Sequence, residues 1–363
     1  MKICVFGTRG FPGIQGGVEK HCEKLYQAMP STFDIVVYRR KSYVSSKSAS
    51  LVGDNIRFID ISSTRIKGFE TFFHSFIAAL RCCFVERPDV VHVHNIGPGL
   101  FIPLLKLFRL RVVLTYHSPN YEHDKWGKTA KNILKLGEKL SLKFADKIIF
   151  VNQFQRNKLG IAVADKSVYL PNGVDLPSKS GQTDYLSSLS LVPQKYVLAV
   201  GRITQEKGFD YLIDAFLSLN FPDYKLVIAG SMDHKQDYAK KLHEQGDKDN
   251  IVFPGYVDGE RLNQLYTYAA LFVLPSYNEG FPLVLLEAMS YGLPVLVSDI
   301  PANRQVKLRE DNYFKVGDKS DLSEHISAFL KDKGTTSYDL SLYDWEAVAG
   351  HVIALYKEIC SSL

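Results

Sequence analysis

The sequence predicts an α/β protein built from two doubly wound, parallel-sheet domains, and three observations predict it. At 363 residues the chain is long for a single hydrophobic core. Short β-branched or aromatic runs alternate with stretches of helical spacing, and that succession implies parallel sheets covered on both faces. The alternation lapses once, between Pro171 and Gln194, and then restarts.

Taken in order, the strand-like runs of the first half are Lys2–Gly7, Asp34–Tyr38, Asn55–Asp60, Val90–His94, Val112–Tyr116 and Lys147–Val151. Helical spacing occupies segments between them, among them Gly17–Met29 and Lys125–Phe144. Pro177, Ser178, Ser180, Gly181 and the serines up to Ser190 read as a linker. Strands resume at Tyr196–Val200, Lys225–Gly230, Ile251–Phe253, Leu271–Leu274 and Val295–Ser298. The tail, Tyr343–Cys360, has helical periodicity with no strand after it, and is expected to pack back on the first domain. The expected boundaries are 1–175 for an N-terminal Rossmann-like domain, 176–194 for the linker, 195–340 for a C-terminal Rossmann-like domain and 341–363 for the final helix. Doubly wound domains bind ligands at the carboxyl ends of their strands, expected here to face a cleft between the domains. The residues just after strands therefore carry the functional question.

Bulk composition narrows the class. A hydrophobic fraction of 46% and a charged fraction of 23% are ordinary for a soluble globular chain. No apolar run approaches the ~18 residues needed to span a bilayer, and the most hydrophobic stretch, Phe72–Phe84, is broken by His74 and Arg81. The opening MKICVFGTRG is too short in its apolar part and too glycine-rich for a secretory signal, and reads as a first strand. Five scattered cysteines (Cys4, Cys22, Cys82, Cys83, Cys360) show no metal-ligand spacing and suit reduced thiols in the cytoplasm. The net charge of +5 hides a division: residues 1–170 hold 26 Lys and Arg against 13 Asp and Glu, the remainder 18 against 26. A basic first half is expected to meet something anionic, and nucleic acid is not the expected partner.

Four segments after strands can carry chemistry. Gly7-Thr-Arg-Gly-Phe-Pro-Gly-Ile-Gln-Gly-Gly17 precedes a helix, so backbone N–H groups at Gly16 and Gly17 can approach a phosphate; a merely flexible turn is the plainer alternative. It is not the dinucleotide fingerprint, because Arg9 stands where a glycine is required. In Gly201-Arg-Ile-Thr-Gln-Glu-Lys-Gly208, Arg202 and Lys207 can neutralise a diphosphate leaving group, or else be solvated surface cations. Asn278-Glu-Gly-Phe-Pro-Leu-Val-Leu-Leu-Glu-Ala-Met289 places Glu279 and Glu287 eight apart beside apolar residues, where carboxylates are costly unless paired. Such a pair suits the hydroxyls of a sugar and a ribose, or caps and pairs with lysine. His117 ends a strand and can donate to a sugar hydroxyl or a phosphate, or serve the fold.

Together these segments resemble the GT4 family of GT-B-fold glycosyltransferases. The resemblance rests on Gly16-Gly17 with Val-Glu-Lys-His21, on His117, on Pro171-Asn-Gly-Val-Asp175, on the Gly201–Gly208 loop and on E-x7-E from Glu279 to Glu287. It implies two Rossmann-like domains, retention of anomeric configuration and no metal or other cofactor, the co-substrate being a UDP-, GDP- or dTDP-linked sugar. It further implies that Arg202 and Lys207 grip the donor diphosphate, Glu279 the sugar hydroxyls and Glu287 the ribose, with His117 beside the sugar as a catalytic residue. Gly16 and Gly17 would approach the phosphates, Gly280 would bind the donor, and Phe281, Pro282 and Leu283 would line the sugar pocket with the N–H groups of Phe281 and Leu283 near donor oxygens. Pro282 departs from the glycine of many relatives and offers no N–H. The acceptor implied is a hydroxyl of a glycan or lipid-linked molecule in bacterial lipopolysaccharide, capsule or exopolysaccharide assembly. A nucleotide-sugar 2-epimerase on the same fold and an inactive nucleotide-sugar-binding protein are the rival expectations, and product analysis separates them.

Over Lys125–Lys147, Lys128, Lys131, Lys135, Lys139 and Lys143 alternate with Ile133, Leu134, Leu136, Leu140 and Leu142. This is either a solvated surface helix or one that docks on anionic lipid, with Phe101–Arg109 adding surface nearby. The expected location is cytoplasmic, peripheral at the inner face of the membrane. Three motifs are set aside. Gly127-Lys-Thr129 lacks the first glycine of a P-loop, Glu122 standing there; Asp247-Lys-Asp249 reads as solvated loop; and His92 and His94 share a strand face with no third ligand evident in sequence.

Overall fold

The computed structural model describes residues 1–14, 16–44, 53–62, 69–119, 121, 127–219, 221–231, 238, 241–242, 244, 250–331 and 336–361. The chain divides into two compact units, Met1–Gly173 with Ser341–Leu363, and Val174–Leu340. Asp247 and Asp249, like Glu122 and Lys125, lie outside the described residues.

The first unit holds seven strands: β1 (Lys2–Phe6), β2 (Asp34–Arg40), β3 (Ile56–Ile61), β4 (Val90–His94), β5 (Arg111–Tyr116), β6 (Lys147–Phe150) and β7 (Ser167–Tyr169). They form one sheet in the order β3-β2-β1-β4-β5-β6-β7, every pairing parallel. Val90, Val91 and Val93 of β4 are fully buried, as a strand covered on both faces requires. Its helices are α1 (Gly17–Gln27), α2 (Phe69–Arg81), α3 (Ile102–Leu107), α4 (Lys128–Phe144) and α5 (Gln153–Leu159).

The second unit contains α6 (Asp184–Ser188), α7 (Phe209–Leu217), α8 (Gly259–Tyr268), α9 (Leu283–Ser290), α10 (Pro301–Arg304) and α11 (Lys319–Lys331). Its strands are β8 (Tyr196–Val200), β9 (Lys225–Ala229), β10 (Ile251–Gly255), β11 (Leu271–Leu274), β12 (Val295–Ser298) and β13 (Tyr313–Phe314), in the parallel order β10-β9-β8-β11-β12-β13. In each sheet the order reverses beside the first strand, which places a topological switch point between β1 and β4 and another between β8 and β11.

The last helix, α12 (Trp345–Ser361), belongs to the first unit. Its Val348, Val352 and Tyr356 share a core with Ile3 and Val5 of β1 and Tyr26 of α1. The stretch 176–194, expected as a linker, is instead part of the second unit's packing. Tyr185 N donates to Gln264 Oε1 (2.9 Å), Gln264 Nε2 to Asp184 (2.8 Å) and Ser180 N to Thr267 (3.0 Å), while Leu186 and Leu191 are buried. The polar residues that suggested a linker are hydrogen-bonding partners for α8.

Candidate functional site

In the first unit the glycine loop follows β1 and ends at α1. Gly7 has φ 109°, and a Cβ there would fall 2.0 Å from the His94 carbonyl oxygen, so the loop lies against the end of β4. Gly16 caps α1 at φ 151°, where a Cβ would meet Glu19 Oε2 at 2.0 Å. Glu19 is buried and binds Arg9, accepting from its backbone N (3.1 Å), Nε (3.2 Å) and Nη2 (3.3 Å). Gly17 opens the helix at an exposed N-terminus, which favours negative charge.

His117 is buried at the end of β5, and its Nε2 lies 3.0 Å from His94 Nδ1. Tyr26 Oη approaches His94 Nε2 (2.8 Å) and His92 Nδ1 (2.9 Å); His92 in turn meets Tyr356 Oη (2.5 Å) and Thr115 Oγ1 (2.7 Å). A neutral imidazole has one donor and one acceptor, so the tautomer of His117 is tied through His94 to the Tyr26 hydroxyl. His21, on α1, bonds Asn172 Oδ1 through Nδ1 (2.6 Å), while its buried Nε2 has no hydrogen-bond partner among the described residues. Burial holds His21 down to about 4 and His92 to about 3, and drives His94 and His117 well below the usual imidazole range. All four rings are therefore neutral at physiological pH.

Sequence alone paired His92 with His94 and saw no third ligand; the fold supplies His21 and His117. The ligand atoms of His21, His94 and His117 lie within 4.8 Å of one another, the arrangement among the described residues most able to hold a metal ion. The 3.0 Å contact between His94 and His117 already accommodates a shared proton, which a metal would have to displace. His21 and Asn172 both lie in segments that the sequence singled out, but neither position betrays a pairing 151 residues apart.

In the second unit Lys207 and Glu279 meet directly. Lys207 Nζ donates to Glu279 Oε1 (2.5 Å), and Ser276 Oγ donates to the same oxygen (2.6 Å). The side chains are only 15% and 9% exposed, so the charges are largely withdrawn from water and neutralise each other. Both bonds fall on Oε1. Arg202, after β8, is more open and lies 3.5 Å from Glu206. Glu279 stands in the loop between β11 and α9, whereas Glu287 lies within α9 and accepts from Tyr266 Oη (3.1 Å). The two carboxylates thus have separate partners.

Between them, Phe281 and Pro282 are buried and Gly280 and Leu283 half-buried. Leu283 N already donates to Phe281 O (3.0 Å), so this amide is engaged and not free for a ligand. The Pro282 carbonyl instead starts the helix, accepting from Leu285 N (3.0 Å). The sequence-predicted residues accordingly form two groups: Gly16, Gly17 and His117 in the first unit, and Arg202, Lys207, Glu279, Gly280, Phe281, Pro282, Leu283 and Glu287 in the second.

Two family models match the chain, Glycosyltransferase Family 4 over residues 15–177 and Glycosyl transferases group 1 over residues 187–341. An uncharacterised glycosyltransferase of Methanocaldococcus jannaschii is 35% identical over 98% of both chains. A phosphatidyl-myo-inositol mannosyltransferase of Mycobacterium leprae is 28% identical over 76% of this chain and 74% of its own. Among solved structures, sucrose-phosphate synthase from Thermosynechococcus elongatus superposes with a TM-score of 0.84 at 22% identity, covering all of both chains. Anabaena HepE, solved in complex with UDP-glucose, gives 0.73 at 18% identity over 100% of this chain and 99% of its own. Two parallel-sheet units, filled strand-end positions in both and matches along nearly the full length give one conclusion: the chain belongs to the group 1, family 4 glycosyltransferases of GT-B fold and transfers sugar from a nucleotide sugar.

Proposed function

We propose that this enzyme transfers with retention of configuration and without a metal, from a UDP-, GDP- or dTDP-linked sugar to a hydroxyl of a glycan or lipid-linked acceptor in bacterial surface-polysaccharide assembly. The observation that carries the reading is the buried Lys207–Glu279 pair. When a diphosphate enters, Lys207 and Arg202 face the charge that grows on the leaving oxygens, the point at which fixed donors contribute most. Glu279, held by Ser276, keeps Oε2 to accept a sugar hydroxyl. Glu287, positioned by Tyr266, accepts from the ribose. His117 is a neutral ring and hydrogen-bonds the donor sugar without adding charge. The leaving phosphate oxygen takes the acceptor proton as the new glycosidic bond forms on the same face, so no enzyme nucleophile is needed.

Glu279→Gln keeps the size of the side chain and removes its charge. Turnover is expected to fall by about 10²-fold or more, with no glycosyl-enzyme adduct in the intact mass. Transfer by the unaltered enzyme is expected to survive EDTA. A trapped adduct would contradict the role given to Glu279, and loss of activity in EDTA would make His21, His94 and His117 the residues to examine.

The enzyme is further proposed to work at the cytoplasmic membrane face. No described helix is long and apolar enough to cross a membrane. On α2, Phe69, Phe72 and Phe76 are exposed, and Phe72 and Phe76 pack on Phe101. On α4, Ile133 and Leu136 are exposed together with Lys128, Lys135, Lys139 and Lys143. Apolar side chains beside lysines suit a surface of anionic lipid.

A further inference from the structure

Tyr356 of α12 reaches into the histidine cluster from the far end of the sequence. Its Oη lies 2.5 Å from His92 Nδ1, 264 residues away, and His92 Nε2 lies 2.7 Å from Thr115 Oγ1. Tyr26 Oη stands between two rings, 2.9 Å from His92 Nδ1 and 2.8 Å from His94 Nε2. His94 Nδ1 then meets His117 Nε2 at 3.0 Å. Tyr26, His92, His94 and Tyr356 are fully buried, so these groups must satisfy one another. His117 Nδ1 has no hydrogen-bond partner among the described residues and is the ring atom left for a ligand.

Each hydroxyl and each neutral ring brings one proton, which limits how these contacts can be filled. A phenol gives up its proton near pH ~10, whereas a neutral imidazole gains one near pH ~6.5, so the hydroxyls donate and the ring nitrogens accept. The Tyr26 and Tyr356 hydroxyls also reach each other, but a ring nitrogen is the stronger base and takes each proton. Tyr356, at the shorter distance, fills the lone pair of His92 Nδ1, and His92 Nε2–H donates to Thr115. The Tyr26 proton is thereby left for His94 Nε2. His94 then carries its own proton on Nδ1 and donates it to His117 Nε2, which puts the His117 N–H on Nδ1. Without the Tyr356 hydroxyl the balance reverses. Tyr26 turns to His92 Nδ1, His94 donates from Nε2 to Tyr26, and His117 donates from Nε2 to His94. Every remaining contact is then filled, and His117 Nδ1 is bare.

We propose that Tyr356 is a positioning residue for sugar transfer: through His92, Tyr26 and His94 its hydroxyl holds His117 with an N–H at Nδ1, available to the oxygens of the donor. This rests on the role given to His117 in the glycosyl-transfer reading. The helix that completes the core of the first unit thus also sets which hydrogen bond His117 makes. An N–H suits oxygens that gain negative charge as the donor bond breaks, and a bare nitrogen would repel them.

The test reads the ring nitrogens of isotope-labelled histidines by NMR, with His117 assigned from the signals lost in His117→Asn. The unaltered protein is expected to show a protonated Nδ1 and a bare Nε2 on His117. Tyr356→Phe keeps the packed ring and is expected to reverse the two. In a Tyr26→Phe background, where the chain is cut, adding Tyr356→Phe is expected to leave His117 as it was. Tyr38→Phe removes another buried hydroxyl of the first unit, outside the chain, and is expected to change neither the tautomer nor turnover. A protonated Nε2 in the unaltered protein, an unchanged His117 in Tyr356→Phe, or the same reversal in Tyr38→Phe overturns the proposal. In transfer assays Tyr356→Phe is expected to lower kcat about tenfold or more and to leave KM for the acceptor unchanged. A reversed tautomer with full kcat would overturn its bearing on the reaction. If the unaltered protein transfers from no nucleotide sugar, the glycosyl-transfer reading fails, while the spectra still decide the hydrogen-bond chain.

Discussion

Five buried histidines, His21, His74, His92, His94 and His117, make the first unit sensitive to acid. A ring whose folded pKa lies below its unfolded value of about 6.5 contributes its full stability above that value and loses it as pH falls toward the folded pKa. For His21 the window runs from about 6.5 down to about 4, and for His92 down to about 3. The urea midpoint is expected to fall steadily from pH 6.5 to pH 4; a flat profile there would mean that the cluster is charged or hydrated in the folded state. Residue by residue, the sequence revealed which positions matter more readily than what they touch. Arg202, Lys207, Glu279 and His117 were legible because each follows a strand in a doubly wound pattern. That Lys207 and Glu279 bind each other was not legible, because 72 residues separate them and only the adjacency of β8 and β11 brings them together. Glu19, Ser276 and Tyr266 were missed for a different reason: their partners lie only 10, 3 and 21 residues away, but which side chain each one meets is set by loop and helix packing.

At the scale of elements, α12 is a structural part of the first unit. Trp345 packs so tightly that a Cβ on Gly173 would fall 2.4 Å from its ring, and the ring meets His21 edge-on at 5.6 Å. Trp345→Ala is expected to cost about 3–5 kcal/mol of unfolding free energy by urea titration. A loss below 1 kcal/mol would mean that the helix only rests on the unit. The helix was legible from its periodicity. The edge strands β7 and β13 were not, because three and two residues are too few to show alternation. The short helix α6 was hidden by serine-rich composition. On α4 the lysine periodicity was visible, yet the buried side proves to be Gly137 and Ser141, which leaves Ile133 and Leu136 exposed. Cosedimentation with vesicles of anionic lipid is expected to fall as salt rises and to be absent with neutral lipid; indifference to both would remove the membrane reading.

For the whole molecule, the two halves differ in charge as well as in motif. The first half carries the excess of basic residues together with the glycine loop and the histidine cluster, while the second half, acidic in balance, concentrates Arg202, Lys207 and Glu279 around one loop system. That division was readable from the sequence because strand–helix alternation restarts and the charge changes sign. Family membership follows from matches along both halves, and the chemistry proposed here rests on cations placed where a diphosphate departs and a carboxylate that orients the sugar. A crystal structure of the enzyme with a nucleotide sugar bears on this point. The diphosphate oxygens are expected within hydrogen-bonding distance of Arg202 and Lys207, with a sugar hydroxyl on Glu279. A nucleotide sugar bound away from all three would contradict it.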